Sequence, residues 1–449
     1  QDQGYLVTGS DEHTYPPMST LLAARGIKVF NGYHPDNLQP RPDLVVIGNV
    51  IRADNPEAQE VLRLGLPYLS LPAALNRFLV RDRQALVVCG THGKTTTSSL
   101  AAWLLYAAGY DPGCMIGGIL NNFQANFRVG QGPYVVLEGD EYDTAFFDKR
   151  PKFLSFKPAT AILTSVEFDH ADIYADLDQV IQAFAAFIRG LTPTSRLLAW
   201  GDAPLVRDLA RQSPGEVRLY GLSDGLPWQA VALEPKGEGM AFQVRHQGRL
   251  WEEFYVPLAG RHNVLNTLAV LAALAELGVD RRVLKEALPH FAGVKRRLEV
   301  VGDYDGITVV DDFAHHPTAV SETLAAARGR FPGRRLVVAF EPRTNTSRRR
   351  IFQADYATAL AHADLILVRE PPDLWKAPPQ DRFSSTQLAA DLRAQGRQAA
   401  YFPETDSLLA ALLQELQPGD VVLVMSNGSF DGLISRLGQA LAACRPGQA

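Results

Sequence analysis

The stretch Gly90-Thr91-His92-Gly93-Lys94-Thr95-Thr96 sets a lysine and two threonines directly behind a glycine turn. Residues in that order can cradle a phosphate. Glycines let backbone N–H groups close around oxygens, and a helix start favours negative charge. Lys94 is expected to reach the β/γ-phosphates, and the Thr95 hydroxyl to sit on Mg²⁺. The ordinary pattern places a glycine six residues before the lysine, where this chain has Val88. The loop is thus a shortened Gly-x-x-Gly-Lys-Thr. The bland alternative, a glycine turn that merely starts a helix, does not explain why Lys and Thr stand at that start. Lys94 is read as an exposed loop lysine with little part in stability.

Acidic residues follow in two clusters, Glu138-Gly139-Asp140-Glu141-Tyr142-Asp143 and Glu167-Phe168-Asp169-His170. Hard cations take carboxylate oxygens, so acidic residues behind a phosphate loop suit Mg²⁺. A solvated acidic loop is the alternative for the first cluster, and a structural histidine for the second. Asn263 and Asn266 lie three apart on one helical face and could meet a purine edge. A pair of caps would look the same. Ser10-Asp11, Asp311-Asp312, Glu341-Pro342-Arg343 and Ser426-Asn427-Gly428 each stand at the end of an apolar run. Ligands of parallel sheets bind at such ends.

Those groups need strands and helices to hold them. Short apolar runs predict strands at 5–8, 28–30, 44–48, 85–89, 134–137, 160–164, 307–310, 336–340 and 421–425. Helices are expected at 18–25, 55–64, 94–107, 178–189 and 261–277. Gly117-Gly118 reads as a flexible turn, and 195–257 as strands and turns. Alternation of this kind argues parallel α/β sheets. The fold class is therefore α/β in three domains: 1–84, 85–297 and 298–449.

At 449 residues, about three domains are expected. Net charge is −5, which offers no broad basic surface to nucleic acid. No apolar run approaches the roughly 18 residues a membrane span needs. Cys89, Cys114 and Cys444 are far apart and read as reduced thiols, pointing to a cytoplasmic protein. No signal peptide is recognised. The chain begins with Gln1 rather than Met, so an N-terminal part is expected to precede it.

Six motifs in this order, Gly90 to Thr96, Glu138-Gly-Asp-Glu, Glu167-x-Asp169-His170, Gly260-x-His262-Asn263-x-x-Asn266, Arg296-Arg297 and Asp312-x-x-His315-His316-Pro317, resemble the ATP-dependent Mur ligases. The resemblance covers essentially the whole chain. It implies a central P-loop ATPase domain between an N-terminal UDP-sugar domain and a C-terminal Rossmann-like domain that carries the incoming amine. The family's first strand and glycine turn would precede Gln1. The stretches 141–150, 167–173, 311–318, Glu341-Pro342-Arg343 and Met425-Ser426-Asn427-Gly428 are similar to the branch that joins L-Ala-γ-D-Glu-meso-diaminopimelate to UDP-N-acetylmuramate. The sister branch adds L-alanine and typically has Ser at the position of Tyr142. That alanine ligase, and a nucleotide-dependent regulator without ligase activity, are the alternatives.

The resemblance also implies roles. Lys94, Glu138, His170 and Arg297 would be catalytic. Gly90, Thr91, His92, Gly93, Lys94, Thr95, Thr96, Asn263, Asn266, Arg297 and Asp312 would bind ATP. Thr95, Glu138 and His170 would hold Mg²⁺. Ser10, Asp11, His315, Arg343, Ser426 and Asn427 would bind the two substrates. The run Arg348-Arg349-Arg350 would add charge or simply start a solvated helix. No lysine lies between His170 and Arg189, so no carbamylated lysine is expected. A monomer or weak homodimer is expected, without nucleic-acid or membrane partners.

Overall fold

The apolar run Gln84–Cys89 is buried from Ala85 onward because it lies in the interior of a ten-stranded sheet. The computed structural model describes residues 1–14, 16 and 18–443. Cys444, one of the three expected thiols, lies outside them. Parallel neighbours of Gln84–Cys89 are Tyr134–Glu138 on one side and Thr160–Leu163 on the other. Arg196–Trp200 and Glu216–Gly221 continue the parallel part. Antiparallel strands close the edge at Arg249–Val256 and, on the opposite side, at Ala125–Arg128. Strands covered on both faces read as continuous apolar runs rather than alternating ones, as these do.

Helix Lys94–Ala107 follows the glycine turn. It lacks Gly and Pro, and it buries Thr95 through Ala102 with Leu104 and Leu105. It packs against helix Arg261–Glu276, which is equally buried from Thr267 to Leu274. Leu100, Leu104, Leu268 and Leu271 form one apolar core with the sheet. A Leu→Ala change in such a core costs about 2–5 kcal/mol. The phosphate loop is therefore held by a rigid layer.

The C-terminal residues build a six-stranded sheet in the order Glu299–Tyr304, Ile307–Asp312, Val421–Met425, Leu336–Phe340, Leu365–Arg369, Gln398–Phe402. All pairs are parallel except the first. The N-terminal residues form two parallel pairs, Thr8–Asp11 with Lys28–Asn31 and Val45–Ile47 with Tyr68–Ser70.

Three local expectations are corrected. The first strand runs Thr8–Asp11, not 5–8. Tyr5, Leu6 and Val7 are exposed, and Tyr5 meets Phe78 edge-on instead of pairing in a ladder. Gly117-Gly118 is not a turn but lies within strand Gly113–Leu120. A Cβ at Gly117 would press on the Glu138 carboxylate at 3.0 Å, and one at Gly118 on Thr95 and Val294 at 2.9 Å. Close approach, not flexibility, is what these glycines provide. Finally, Asp311 and Asp312 end the strand Ile307–Asp312 rather than follow it, and both are buried.

Candidate active site

Three carboxyl ends of the central sheet converge on the loop at residues 90–93. Gly90 (φ +136°) and Gly93 (φ +78°) hold backbone conformations that L side chains rarely adopt. The loop is tied to the segment after Thr160–Leu163: Thr91 N–H donates to the Ser165 carbonyl (2.8 Å), His92 N–H to Ser165 Oγ (3.0 Å), and Glu167 N–H to Thr91 Oγ1 (2.9 Å). Asn266 reaches the loop from the neighbouring helix and occupies the space a Cβ on Gly93 would need.

Lys94 departs from its expected exposure. Its side chain is 12% exposed, and Nζ donates to the Gly90 carbonyl (2.7 Å) and to both oxygens of Glu141 (3.0 and 2.7 Å). Burial lowers its pKa, but Glu141, Asp140 and Glu138 outweigh that and hold it charged. Glu141 also meets His170 Nε2 at 2.9 Å. Burial pulls His170 down, whereas the Glu141 hydrogen bond and the charge of Asp169 bring it net upward. His170 has φ +56°, and its N–H donates to Asp169 Oδ1 (2.7 Å). A non-glycine residue held there stores about 1–3 kcal/mol, and such residues cluster at functional sites.

Thr95 Oγ1 donates to Glu138 Oε1 (3.0 Å), and Gly117 N–H donates to Glu138 Oε2 (2.7 Å). A hydroxyl beside a carboxylate is the oxygen donor set that suits Mg²⁺. Burial raises the Glu138 pKa against the opposing charge of Lys94. A cation there would relieve that burial. Arg297 Nη2 donates to Thr95 Oγ1 (3.3 Å), and its guanidinium lies 5.0 Å from the Phe313 ring. Arg296 (φ +62°) and Leu298 (φ +49°) flank it, so the backbone is strained where it aims this side chain.

A cavity of about 550 Å³ opens beside the loop. Thr96, Asn263, Asn266, Arg297 and Asp312 are on its wall, together with Trp200 and Tyr220. Asn263 donates to the Ala259 carbonyl (2.8 Å), and Asn266 donates to Asn263 Oδ1 (3.3 Å). Asp312 accepts from the N–H groups of Leu298 and Ala314, both at 2.7 Å. It thereby ties down the residues that directly follow Arg297 and Phe313.

The C-terminal sheet supplies a second group. Ser426 Oγ donates to the fully buried Glu341 Oε1 (2.7 Å), and Arg343 Nη1 is 3.7 Å from that oxygen. Asn427 Oδ1 is buried without a partner. A Cβ on Gly428 would strike the Arg343 side chain at 2.5 Å. His315 is 3.9 Å from Asp169, and its Nδ1 lies 2.9 Å from the Phe313 carbonyl. Ser10 and Asp11 stand apart: Ser10 Oγ donates to Glu57, and Asp11 accepts from His13 N–H (2.9 Å). Arg348 donates to Asn345 (3.0 Å) and lies 3.7 Å from Asp373, and Arg349 donates to Asp381 (2.5 Å), so neither is a free charge. Sequence reasoning left Glu141 and Asp169 without roles. Both stand inside the two acidic clusters, but only folding shows that Glu141 pairs with Lys94 and that Asp169 accepts the His170 N–H beside His315.

Family models describing the Mur ligase family catalytic domain, the Mur ligase middle domain and the Mur ligase glutamate ligase domain match residues 1–83, 88–274 and 296–428. The chain is 40% identical over 443 residues to the UDP-N-acetylmuramate–L-alanyl-γ-D-glutamyl-meso-2,6-diaminoheptandioate ligase of Escherichia coli, covering 98% of this chain and 93% of that one. It is similar to the crystal structure of a murein peptide ligase from Psychrobacter arcticus, with TM-score 0.74 and 33% identity over 99% of this chain and 95% of that one. A UDP-N-acetylmuramate–alanine ligase from Thermotoga maritima superposes with TM-score 0.81 at 26% identity, with the same coverage of 99% and 95%.

Proposed function

The chain belongs to the Mur ligase family, and from that premise we propose what its sites bind and in what order they act. It is an ATP-dependent ligase that forms an amide bond. The acceptor is UDP-N-acetylmuramate and the amine is L-Ala-γ-D-Glu-meso-diaminopimelate, so cell-wall peptide is recycled into peptidoglycan synthesis. The observation that carries this is the 40% identity to a tripeptide ligase over 98% of the chain. The overall superposition favours the alanine-adding relative slightly, at 0.81 against 0.74. Domain placement affects that measure, whereas the amine is chosen by side chains of the third domain.

Three domains divide the work: 1–84 for the UDP-sugar, 85–297 for ATP and 298–449 for the peptide. A carboxylate is a poor electrophile, so the lactyl carboxylate first attacks the γ-phosphorus, and the bond to ADP breaks. The deprotonated α-amine of the peptide then attacks the acyl carbon, and inorganic phosphate leaves. Lys94 moves from Glu141 to the γ-phosphate as charge builds on its oxygens. Thr95 and Glu138 would hold Mg²⁺ and His170 would help hold a second, and the bound ions would neutralise phosphate charge. Asn263, Asn266 and Asp312 line the nucleoside cavity. Arg297 links it to the third domain. Arg343, Ser426 and Asn427 receive the peptide, with His315 near its amine, and Ser10 and Asp11 the UDP-sugar. Positioning and charge neutralisation supply the catalysis. The protein acts in the cytoplasm as a monomer or weak homodimer; among the described residues, no helix is long and apolar enough to cross a membrane.

The test is phosphate release with ATP, Mg²⁺ and UDP-N-acetylmuramate, comparing the tripeptide, L-Ala-D-Glu and L-alanine. The tripeptide should give the highest kcat/KM. A higher value for L-alanine would make this the alanine ligase, and release without any amine or UDP-sugar would point to a regulator.

A further inference from the structure

His92, Glu167 and His316 bring one ligand atom each to within 4.8 Å of one another. None of the three is needed to explain Mg²⁺ or the amine. His92 belongs to the phosphate loop, Glu167 follows strand Thr160–Leu163, and His316 caps helix Pro317–Arg330 beside the C-terminal sheet. The cluster therefore spans the seam between the second and third domains.

Its polar atoms are arranged for a cation. His92 Nε2 is buried without a hydrogen-bond partner, and Glu167 Oε2 is 3.4 Å away. His316 Nδ1 lies 3.9 Å from the same oxygen. The other nitrogen of His316, Nε2, faces the Phe168 carbonyl at 3.2 Å, so it carries the proton. Nδ1 accepts from Thr318 N–H (3.2 Å) with its one lone pair, a long bond that an ion at the cluster would displace. Metal-bound histidines are oriented in this way, one nitrogen donating to a carbonyl while the other faces the ion. Thr318 Oγ1 donates to Glu167 Oε2 (2.6 Å) and steadies the carboxylate. The two imidazole rings are 4.5 Å apart.

The geometry points to a zinc site made by His92 Nε2, Glu167 and His316 Nδ1, which would staple the phosphate loop to the third domain. Two imidazoles and one carboxylate are a zinc donor set with a fourth position open. Mg²⁺ prefers oxygen ligands and would stay at Thr95 and Glu138. With His92 bound through Nε2, its proton sits on Nδ1. An ion shared across the seam resists opening of the third domain, so Zn²⁺ is expected to slow turnover while raising thermal stability. The site stands on these contacts and does not depend on which amine the enzyme uses.

The test is calorimetric titration of the full chain with Zn²⁺ in excess Mg²⁺, with Co²⁺ absorption as a probe of coordination. One equivalent should bind, and Co²⁺ should give a tetrahedral visible spectrum. His316→Asn keeps an oxygen that can cap the helix but removes the nitrogen ligand. It and Glu167→Gln should each weaken Zn²⁺ by at least about tenfold, with the metal-free melting temperature of His316→Asn near that of the parent. No saturable Zn²⁺ binding, or equal affinity in the parent and both variants, would overturn the site.

Discussion

Lys94 Nζ donates to both carboxylate oxygens of Glu141, at 3.0 and 2.7 Å, in a pocket where Glu141 is 3% exposed. The lysine proposed to meet the γ-phosphate is thus held by a buried carboxylate. On the proposed mechanism, turnover requires it to exchange one anion for another.

Lys94→Ala is therefore expected to cost stability as well as activity. Removing one partner of a buried ion pair costs about 3–5 kcal/mol. The His170 contact at 2.9 Å keeps the loss at the lower end. Ligation should fall by roughly 10²–10³ or more, as when a transition-state donor is removed. Urea denaturation reads the first effect and phosphate release the second. An unchanged urea midpoint would show that Glu141 finds full compensation elsewhere.

Asp311 supplies a pH dependence. Burial raises its pKa to about 6 despite the opposing charge of Arg296 at 3.2 Å. The folded value lies above the ordinary 3.8, so folding favours the protonated form. That contribution is fully present below the unfolded pKa and is lost as pH rises through about 6. Asp311→Asn should flatten the melting temperature against pH in this acid window. A profile that overlays the parent's would remove Asp311 from the account.

Much of this was legible in the chain. Lys94–Ala107, Leu336–Phe340 and Val421–Met425 fall where the apolar patterning puts them. Buried parallel strands are continuous apolar runs that end at their functional residues, so the pattern marks both. Tyr5-Leu6-Val7 misleads for the same reason, being apolar yet exposed. Gly117-Gly118 shows another limit. A glycine in a strand and a glycine in a turn look alike until the neighbouring Glu138 and Thr95 are seen. Pairing is what sequence hides most: Glu141 with Lys94, Glu341 with Ser426, and Glu167 with His92 join residues 47, 85 and 75 positions apart.

The proposed peptide pocket should fail in a recognisable way. Gly428→Ala drives a Cβ against Arg343, and Arg343→Ala removes a guanidinium suited to bidentate carboxylate binding. Losing a hydrogen bond to a charged group costs about 1.5–3 kcal/mol. Each variant should thus lose roughly 10–100-fold in kcat/KM for the tripeptide. Initial rates at varied peptide give that figure, and ADP binding by calorimetry should be unaffected. Equal loss of nucleotide affinity would mean that the change spreads beyond the peptide pocket.

Arg297→Lys addresses how the third domain reports to the phosphate loop. The guanidinium contacts Thr95 Oγ1 at 3.3 Å and stacks 5.0 Å from Phe313, whose N–H is tied to the Arg296 carbonyl at 2.9 Å. Asp312 fixes the same turn through Leu298 and Ala314. Lysine keeps the positive charge but loses the planar fork and the stacking face. If Arg297 acts by holding Thr95 and the closing domain in register, the variant should bind ADP within about threefold of the parent, while kcat drops about tenfold or more, the signature of an interaction made mainly in the transition state. Single-turnover phosphate release gives the chemical step, and calorimetry gives the binding. If nucleotide affinity collapses while kcat at saturation is retained, Arg297 is a binding residue alone, and the link through Phe313 has no part in closure.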